Sequence, residues 1–92
     1  MRFEWDEGKC KSNLGKHNLS FEDAHLVFAS DTITIPDLRQ PYGESRMIPM
    51  GRLEGRIVVV VHVFRGEKTS IISMRKANAR EQRIYQERFG KT

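Results

Sequence analysis

Cysteine is nearly absent from this sequence, which has Cys10 alone among its 92 residues. One cysteine cannot form an internal disulfide, so a disulfide framework and a cysteine-rich zinc site are both excluded. This composition fits a reducing compartment, and we expect a cytoplasmic protein. Apolar runs stay far below the ~20 residues that a membrane span needs, and the acidic N-terminus lacks the apolar core of a signal peptide. We therefore expect no membrane partner.

Positive charge is concentrated in the second part of the chain. Residues 1–37 contain four Lys/Arg and seven Asp/Glu, a net charge of −3, whereas residues 38–92 contain twelve and five, a net charge of +7. Most of those twelve are arginines, whose planar guanidinium suits bidentate contact with phosphate. A basic surface can serve solubility alone, but this asymmetry favours a polyanionic partner such as nucleic acid.

The clearest secondary-structure pattern lies between Arg56 and Phe89. Ile57–Val61 is an unbroken β-branched run that favours a buried strand, and Thr69–Met74 returns as a second strand after a glycine-containing turn. Asn78 and Glu81 have the spacing of a capping box, which predicts that a final helix begins there. The pattern therefore predicts a hairpin followed by a helix.

The N-terminal part is predicted to contain a short strand and two helices. Residues 2–5 alternate between polar and apolar side chains, with Phe3 and Trp5 facing inwards. Asp6 caps a helix over Glu7–Lys16, which Asn18 ends because asparagine tolerates the left-handed conformation. Ser20 caps the second helix.

Two further strands are predicted between these helices and the hairpin. Thr32–Ile35 is β-branched and is interrupted by Pro36, which indicates an edge strand. Arg46–Arg52 alternates after a loop over residues 37–44. The order is β-α-α-β-β-β-β-α in a single domain, 1–92, of the α+β class: an antiparallel sheet with two N-terminal helices and one C-terminal helix. We expect the helices to cover one face of the sheet.

Cationic side chains gather near the predicted hairpin and the start of the last helix: Arg65, Arg75, Lys76 and Arg80. Strand alternation places Arg75 on the face of Thr69, Ile71 and Ser73. Each arginine could simply lay its stem over the core and keep its head in water. Several arginines near one helix start repel one another, however, so the cluster favours a bound anion.

His17 has two possible environments in the first helix. Its spacing from Lys9 and Asn13 would place the three side chains in one polar stripe. Its spacing from Cys10 and Leu14 would instead turn it into the core. The sequence leaves both possibilities open.

Four other polar residues have structural interpretations. His62 lies among valines in a strand, and we interpret it as structural, whereas His25 lies at a helix surface or boundary. Tyr85 could stack on a base or pack in the core with its hydroxyl in water. Glu22, in a first helical turn, could simply complement the helix dipole.

Several familiar catalytic motifs are missing: a Gly-rich phosphate loop, a His/Glu metal motif and a Ser-centred elbow. The acids are scattered, which argues against a two-metal nuclease. We expect neither a metal nor a cofactor. A nuclease of this composition would act on RNA, because the 2′-hydroxyl is a nucleophile already placed beside the phosphorus, and cations and histidine can assist its attack.

Five segments together resemble the BrnT family: F-E-W-D-E-x-K followed by Lys-His, S-F-E-D-A, R-M-I-P-M-G-R, V-V-V-V-H and I-S-M-R-K-A-N-A-R-E. The resemblance runs from about Phe3 to Tyr85. It implies a RelE-like fold and a ribonuclease toxin of a type II toxin–antitoxin pair that halts translation. It also implies a partner, a BrnA-like antitoxin with a ribbon-helix-helix domain that represses the operon, so that operator DNA is bound only through the antitoxin.

The resemblance places the polar positions of the family at Lys9, His17, Glu22, Arg46, Arg65, Arg75, Arg80 and Tyr85. We assign catalysis to Lys9, His17, Arg65, Arg75 and Arg80, and further RNA contacts to Glu22, Arg46, Lys76, Arg83 and Tyr85. The family usually has Lys-His-Gly after the first helix, where this chain has Asn18.

The resulting hypothesis is a metal-independent endoribonuclease toxin whose arginines hold the scissile phosphate while Lys9 or His17 transfers a proton. An alternative is a non-catalytic module that binds nucleic acid or docks a partner through the same basic face. A third possibility is a toxin fold without activity. Cleavage of RNA by the purified protein distinguishes these alternatives.

Overall fold

The fold was analysed in a computed structural model that describes residues 2–36 and 47–89. Within those ranges the elements are β1 (Arg2–Glu4), α1 (Glu7–His17), a 3-10 turn (Phe21–Asp23), α2 (Ala24–Ala29), β2 (Ile33–Pro36), β3 (Met47–Leu53), β4 (Arg56–Arg65), β5 (Lys68–Lys76) and α3 (Ala79–Phe89). The predicted α+β class and element order are confirmed. The predicted strand at Arg46–Arg52 corresponds to β3, and residue 46 and the predicted loop over 37–44 lie outside the described ranges.

The described strands form one sheet in the order β1-β5-β4-β3-β2. Strands β2 to β5 pair antiparallel, whereas β1 pairs parallel to β5, a long-range contact that the sequence did not indicate. Tight turns join β3 to β4 and β4 to β5, with positive φ at Glu54, Gly55 and Gly66. β2 lies at an edge of the sheet, as Pro36 predicted.

The helix boundaries follow the predicted caps. The Asp6 carboxylate accepts a hydrogen bond from the backbone N–H of Lys9 at 3.0 Å. Asn18 ends α1 in the left-handed conformation, with φ of 57°. Asn78 and Glu81 exchange two hydrogen bonds of 2.8 and 2.9 Å between side chain and backbone, which is a complete capping box at the start of α3.

The helices cover both faces of the sheet, so the prediction that they cover one face is wrong. α1 and α2 pack on the face that carries Val58, Val60 and Met74. α3 packs on the opposite face through Tyr85, against Val59 among others. Successive residues of β4 point to opposite faces, so an unbroken valine run needs an apolar cover on each side. We call these faces the α1/α2 face and the α3 face.

A bulge in β5 changes the side to which its residues point. Val61 pairs with Ser73 and His62 with Ile71, which leaves Ile72 as an extra residue. Ile71 consequently shares the α1/α2 core with Met74, opposite to Arg75. The predicted alternation is therefore correct for Ser73 but wrong for Ile71 and Thr69, because one inserted residue inverts every side chain beyond it.

Candidate active site

A groove forms where α1 runs beside β5. β1 pairs with β5 only as far as Ser70, so β5 continues beyond the end of β1. Asn13, which is buried, holds α1 against this part of the strand. Its amide oxygen accepts a hydrogen bond from the backbone N–H of Met74 at 3.1 Å, and its amide nitrogen donates to the carbonyl of Leu19 at 3.0 Å. The position of α1 is thus fixed by polar contacts as well as by apolar packing.

We call the space between these two elements the α1–β5 groove. It has a volume of about 200 Å³ and is lined by Lys9, Ser12, Asn13, Lys16, His17, Ile72 and Ser73. A second hollow of about 290 Å³ adjoins it and is lined by Glu4, Trp5, Asp6, Lys9, Arg65, Ser70, Ile71 and Ile72. Lys9 and Ile72 line both hollows, so Lys9 lies between His17, which lines the groove, and Arg65, which lines the second hollow.

His17 is exposed and lines the groove together with Lys9 and Asn13. The polar-stripe prediction is therefore confirmed, and the alternative of a core histidine is wrong. The spacing of four residues brings the three side chains to one side of α1. An exposed imidazole beside a lysine can exchange protons with a ligand in the groove.

The groove is cationic, whereas the adjoining hollow has charges of both signs. Glu4 lies 3.8 Å from the ammonium of Lys68, and Asp6 caps the helix that carries Lys9. Glu4 and Asp6 share the adjoining hollow with Lys9 and Arg65, whereas the described residues that line the groove include the basic side chains Lys9, Lys16 and His17 and no carboxylate. Charge of this sign suits a phosphodiester.

Arg75 does not join this group. Arg65 pairs with Lys68 at one end of the hairpin, and Arg75 pairs with Val59 near the other, about 20 Å away along the strands. The expected convergence of Arg65 with Arg75 is therefore wrong. The prediction failed because each arginine lies at the C-terminal end of its strand, and the C-terminal ends of two antiparallel strands lie at opposite ends of the hairpin.

The guanidinium of Arg75 is held by Glu81 through two hydrogen bonds of 2.7 and 2.8 Å. These bonds raise the pKa of Arg75, with burial acting in the opposite direction. One Glu81 carboxylate oxygen also accepts from the backbone N–H of Asn78. Arg75 is thus joined to the capping box, so its geometry indicates that it anchors the start of α3.

The other expected cations lie near α3. Lys76 lines a separate cleft of about 360 Å³, together with Arg52, Gly55, Arg56, Ile57, Gln82 and Gln86. We call this the α3 cleft. Arg80 and Arg83 are exposed on α3 and line neither the cleft nor the groove.

Tyr85 is a core side chain. Tyr85 is fully buried, and its hydroxyl donates to the carbonyl of Asp31 at 2.7 Å. The centroids of the Tyr85 and Phe89 rings lie 5.0 Å apart. The predicted stacking of a base on Tyr85 is therefore wrong, because the ring offers no open face. Glu22 is exposed in the middle of the 3-10 turn. Arg46 lies outside the described residues.

His62 is buried, as its interpretation as structural requires. Its ring packs edge-on against Phe28 and Phe64, each with a centroid distance of 5.1 Å. Burial lowers its pKa, and a backbone hydrogen bond with Val60 opposes that shift. The side chain lines neither the α1–β5 groove nor the adjoining hollow.

Sequence reasoning missed several residues that shape these sites. Asn13 appeared to be one member of a surface stripe, and nothing local indicated its bond to β5, 61 residues away. Arg52 and Arg56 could have been noticed because they flank the Glu54-Gly55 turn, which brings the two strand ends together. Their shared cleft also requires α3, which the sequence placed on the wrong face.

A family model described as "Ribonuclease toxin, BrnT, of type II toxin-antitoxin system" matches residues 5–81. The chain belongs to the BrnT family. The matched segment of this BrnT chain contains α1, β5 and the hairpin, and therefore both walls of the α1–β5 groove. Membership confirms the resemblance and implies, at family level, a ribonuclease toxin with an RNA target and an antitoxin partner.

A search of curated proteins finds no match. Across residues 2–36 and 47–89, no helix has the length and apolar character that crossing a membrane would take.

Proposed function

We propose that this chain is an endoribonuclease toxin that cleaves RNA in the α1–β5 groove without a metal ion, and so inhibits translation. The observation that carries the proposal is that Lys9 lines both the groove, together with His17, and the adjoining hollow, together with Arg65. Within the described residues, the other two histidines lack this setting. His62 is buried, and the His25 ring is hydrogen-bonded to the carbonyl of Glu22.

The chemistry divides among the three side chains according to what each can donate or accept. Neutral His17 accepts the proton of the ribose 2′-hydroxyl as that oxygen attacks phosphorus. The ammonium of Lys9 can only donate, so we assign it to the departing 5′-oxygen. Arg65 holds a non-bridging phosphate oxygen as negative charge develops. The products are a 2′,3′-cyclic phosphate and a 5′-hydroxyl end.

The expected contributions follow from these roles. Loss of a general acid or base typically lowers the rate by about 10²–10⁴. Loss of one preorganised donor to the developing charge costs about 10²–10³. We therefore expect His17→Gln and Lys9→Gln to impair cleavage at least as strongly as Arg65→Gln.

We further propose that a cognate antitoxin neutralises the toxin, in line with its membership of a type II family. The family resemblance points to a BrnA-like ribbon-helix-helix protein, with operator DNA bound only through that antitoxin. A cytoplasmic site of action follows from the RNA target.

Digestion of RNA by purified, antitoxin-free protein tests the catalytic proposal. Cleavage should persist with a chelator, should yield cyclic-phosphate and 5′-hydroxyl ends, and should stop when the 2′-hydroxyl at the cleavage site is methylated. Intact RNA, with salt-sensitive binding, would instead support the non-catalytic binding module. Ends carrying a 5′-phosphate would exclude the proposed attack by the 2′-oxygen.

A further inference from the structure

The α3 cleft has the properties of a second anion site. Three cationic side chains, Arg52, Arg56 and Lys76, line it, and the amides of Gln82 and Gln86 add neutral hydrogen-bonding groups. Among the described residues, those that line the cleft include no carboxylate. Like charges held around one cleft repel one another unless an anion lies between them.

The cations of the cleft are only weakly engaged within the protein. Arg56 lies 3.9 Å from Glu54, and both side chains are well exposed, so this pair contributes little. Arg52 lies over the ring of Tyr85, 5.6 Å from its centroid, a contact that leaves hydrogen-bond donors for a ligand. Lys76 is exposed at the end of β5.

We propose that the α3 cleft binds the phosphodiester backbone of the same RNA strand at a distance from the cleaved bond. This inference rests on the proposed function for its choice of RNA as the ligand. Ser73 lines the groove and Lys76 lines the cleft, three residues further along β5, a separation of about 10 Å. Because α1 and α3 cover opposite faces of the sheet, an RNA strand that reaches both sites passes around the edge of β5, which β1 covers only as far as Ser70. Phosphate contacts in the cleft would position the strand without reading its sequence.

The test measures how tightly the full chain binds a 2′-O-methyl RNA at several salt concentrations. The RNA is long enough to reach both the α1–β5 groove and the α3 cleft. Arg56 and Lys76 are changed together to glutamine, whereas Arg52 is kept because it packs on Tyr85. The matched control is Arg88→Gln, an exposed arginine of α3 that does not line the cleft. Thermal unfolding of each variant verifies that it folds.

The double variant should reduce the slope of log affinity against log salt by about 1.4, since each phosphate contact with a single strand contributes about 0.7. If the plots for the unmodified protein and the double variant meet at 1 M salt, the affinity of the double variant at 0.1 M salt is about 25-fold lower. Arg88→Gln should leave both quantities near those of the unmodified protein. An unchanged slope and affinity in the folded double variant would overturn the proposal.

Inorganic phosphate distinguishes a strand site from a site for a free anion. Tight phosphate binding that Arg56→Gln and Lys76→Gln abolish, with RNA affinity unchanged, would also overturn the RNA assignment. The methylated RNA cannot be cleaved by 2′-oxygen attack, so this binding measurement does not depend on catalysis. A protein that binds through the cleft but cleaves no RNA would contradict the proposed function alone.

Discussion

Separating Arg75 from Glu81 should loosen the start of α3. The two side chains make bidentate hydrogen bonds, and the same carboxylate completes the capping box with Asn78. Arg75→Ala removes the guanidinium that donates to the Glu81 carboxylate. The Glu81 side chain is only 17% exposed, so water replaces this donor poorly. Glu81→Ala removes both the ion pair and the reciprocal cap.

The magnitudes follow from this geometry. A hydrogen bond to a charged group contributes about 1.5–3 kcal/mol when buried. The Arg75 side chain is 31% exposed, so solvent screening reduces the coupling of the pair to about 1 kcal/mol. Glu81→Ala should cost about 1 kcal/mol more than Arg75→Ala, because it also removes the cap. Each kcal/mol corresponds to a Tm change of about 4–8 °C in a domain of this size.

A double-mutant cycle over Arg75→Ala, Glu81→Ala and the double variant measures the coupling through urea and thermal unfolding. The double variant should be destabilised by about 1 kcal/mol less than the sum of the single changes. The RNA cleavage rate of Arg75→Ala, corrected for the folded fraction, should remain near that of the unmodified protein. Additive stability changes, or a fully folded Arg75→Ala protein that has lost cleavage, would refute the anchoring role.

Three further predictions concern the fold that supports the groove. Asn13→Ala should lower the free energy of unfolding by about 2–4 kcal/mol, since two buried backbone groups lose their partner, and urea unfolding measures it. Gly51→Ala should cost about 1–3 kcal/mol in the same assay, because a Cβ there would lie 2.6 Å from Ser30 Oγ and 2.7 Å from the Val27 carbonyl; an unchanged midpoint would show that this contact relaxes. Burial holds the pKa of His62 below its usual 6.5, so the unfolded chain takes up the proton first, and stability should fall as pH drops below 6.5. His62→Phe should reduce this pH dependence, and an identical pH profile would contradict the assignment.

Local chemistry made the ends of the elements predictable. The caps at Asp6 and Asn18, and the box formed by Asn78 with Glu81, each involve residues within one turn of the chain. Their conformations are consequently determined by neighbours that the sequence displays directly. The same holds for the Glu54-Gly55 turn, which needs positive φ.

Long-range arrangement was less accessible. The parallel pairing of β1 with β5 joins residues 66 positions apart, as in Phe3 with Thr69, and has no local signature. The valine run in β4 is compatible with cover on either or both faces, so the side chosen by α3 could not be deduced from periodicity. The bulge at Ile72 likewise depends on how two strands meet, and it reversed the predicted side of Ile71.

The candidate site shows both effects. Helical spacing alone related Lys9 to His17, and the structure places them in one groove. The position of Arg65 near Lys9 could be deduced only with knowledge of the strand order in the sheet. Its predicted proximity to Arg75 was wrong because the two arginines end different strands of the hairpin. Spacing within one helix was therefore informative, and nearness along the sequence between two strands was not.

The cleavage rate of a short RNA by His17→Gln protein tests the location of the active site most directly. Its matched control is Lys11→Gln, an exposed cation of the same helix that does not line the groove. Loss of at least about 100-fold in His17→Gln, with Lys11→Gln near the unmodified rate, is the result we expect. Cleavage by folded His17→Gln protein at the unmodified rate would contradict the assignment of catalysis to the α1–β5 groove.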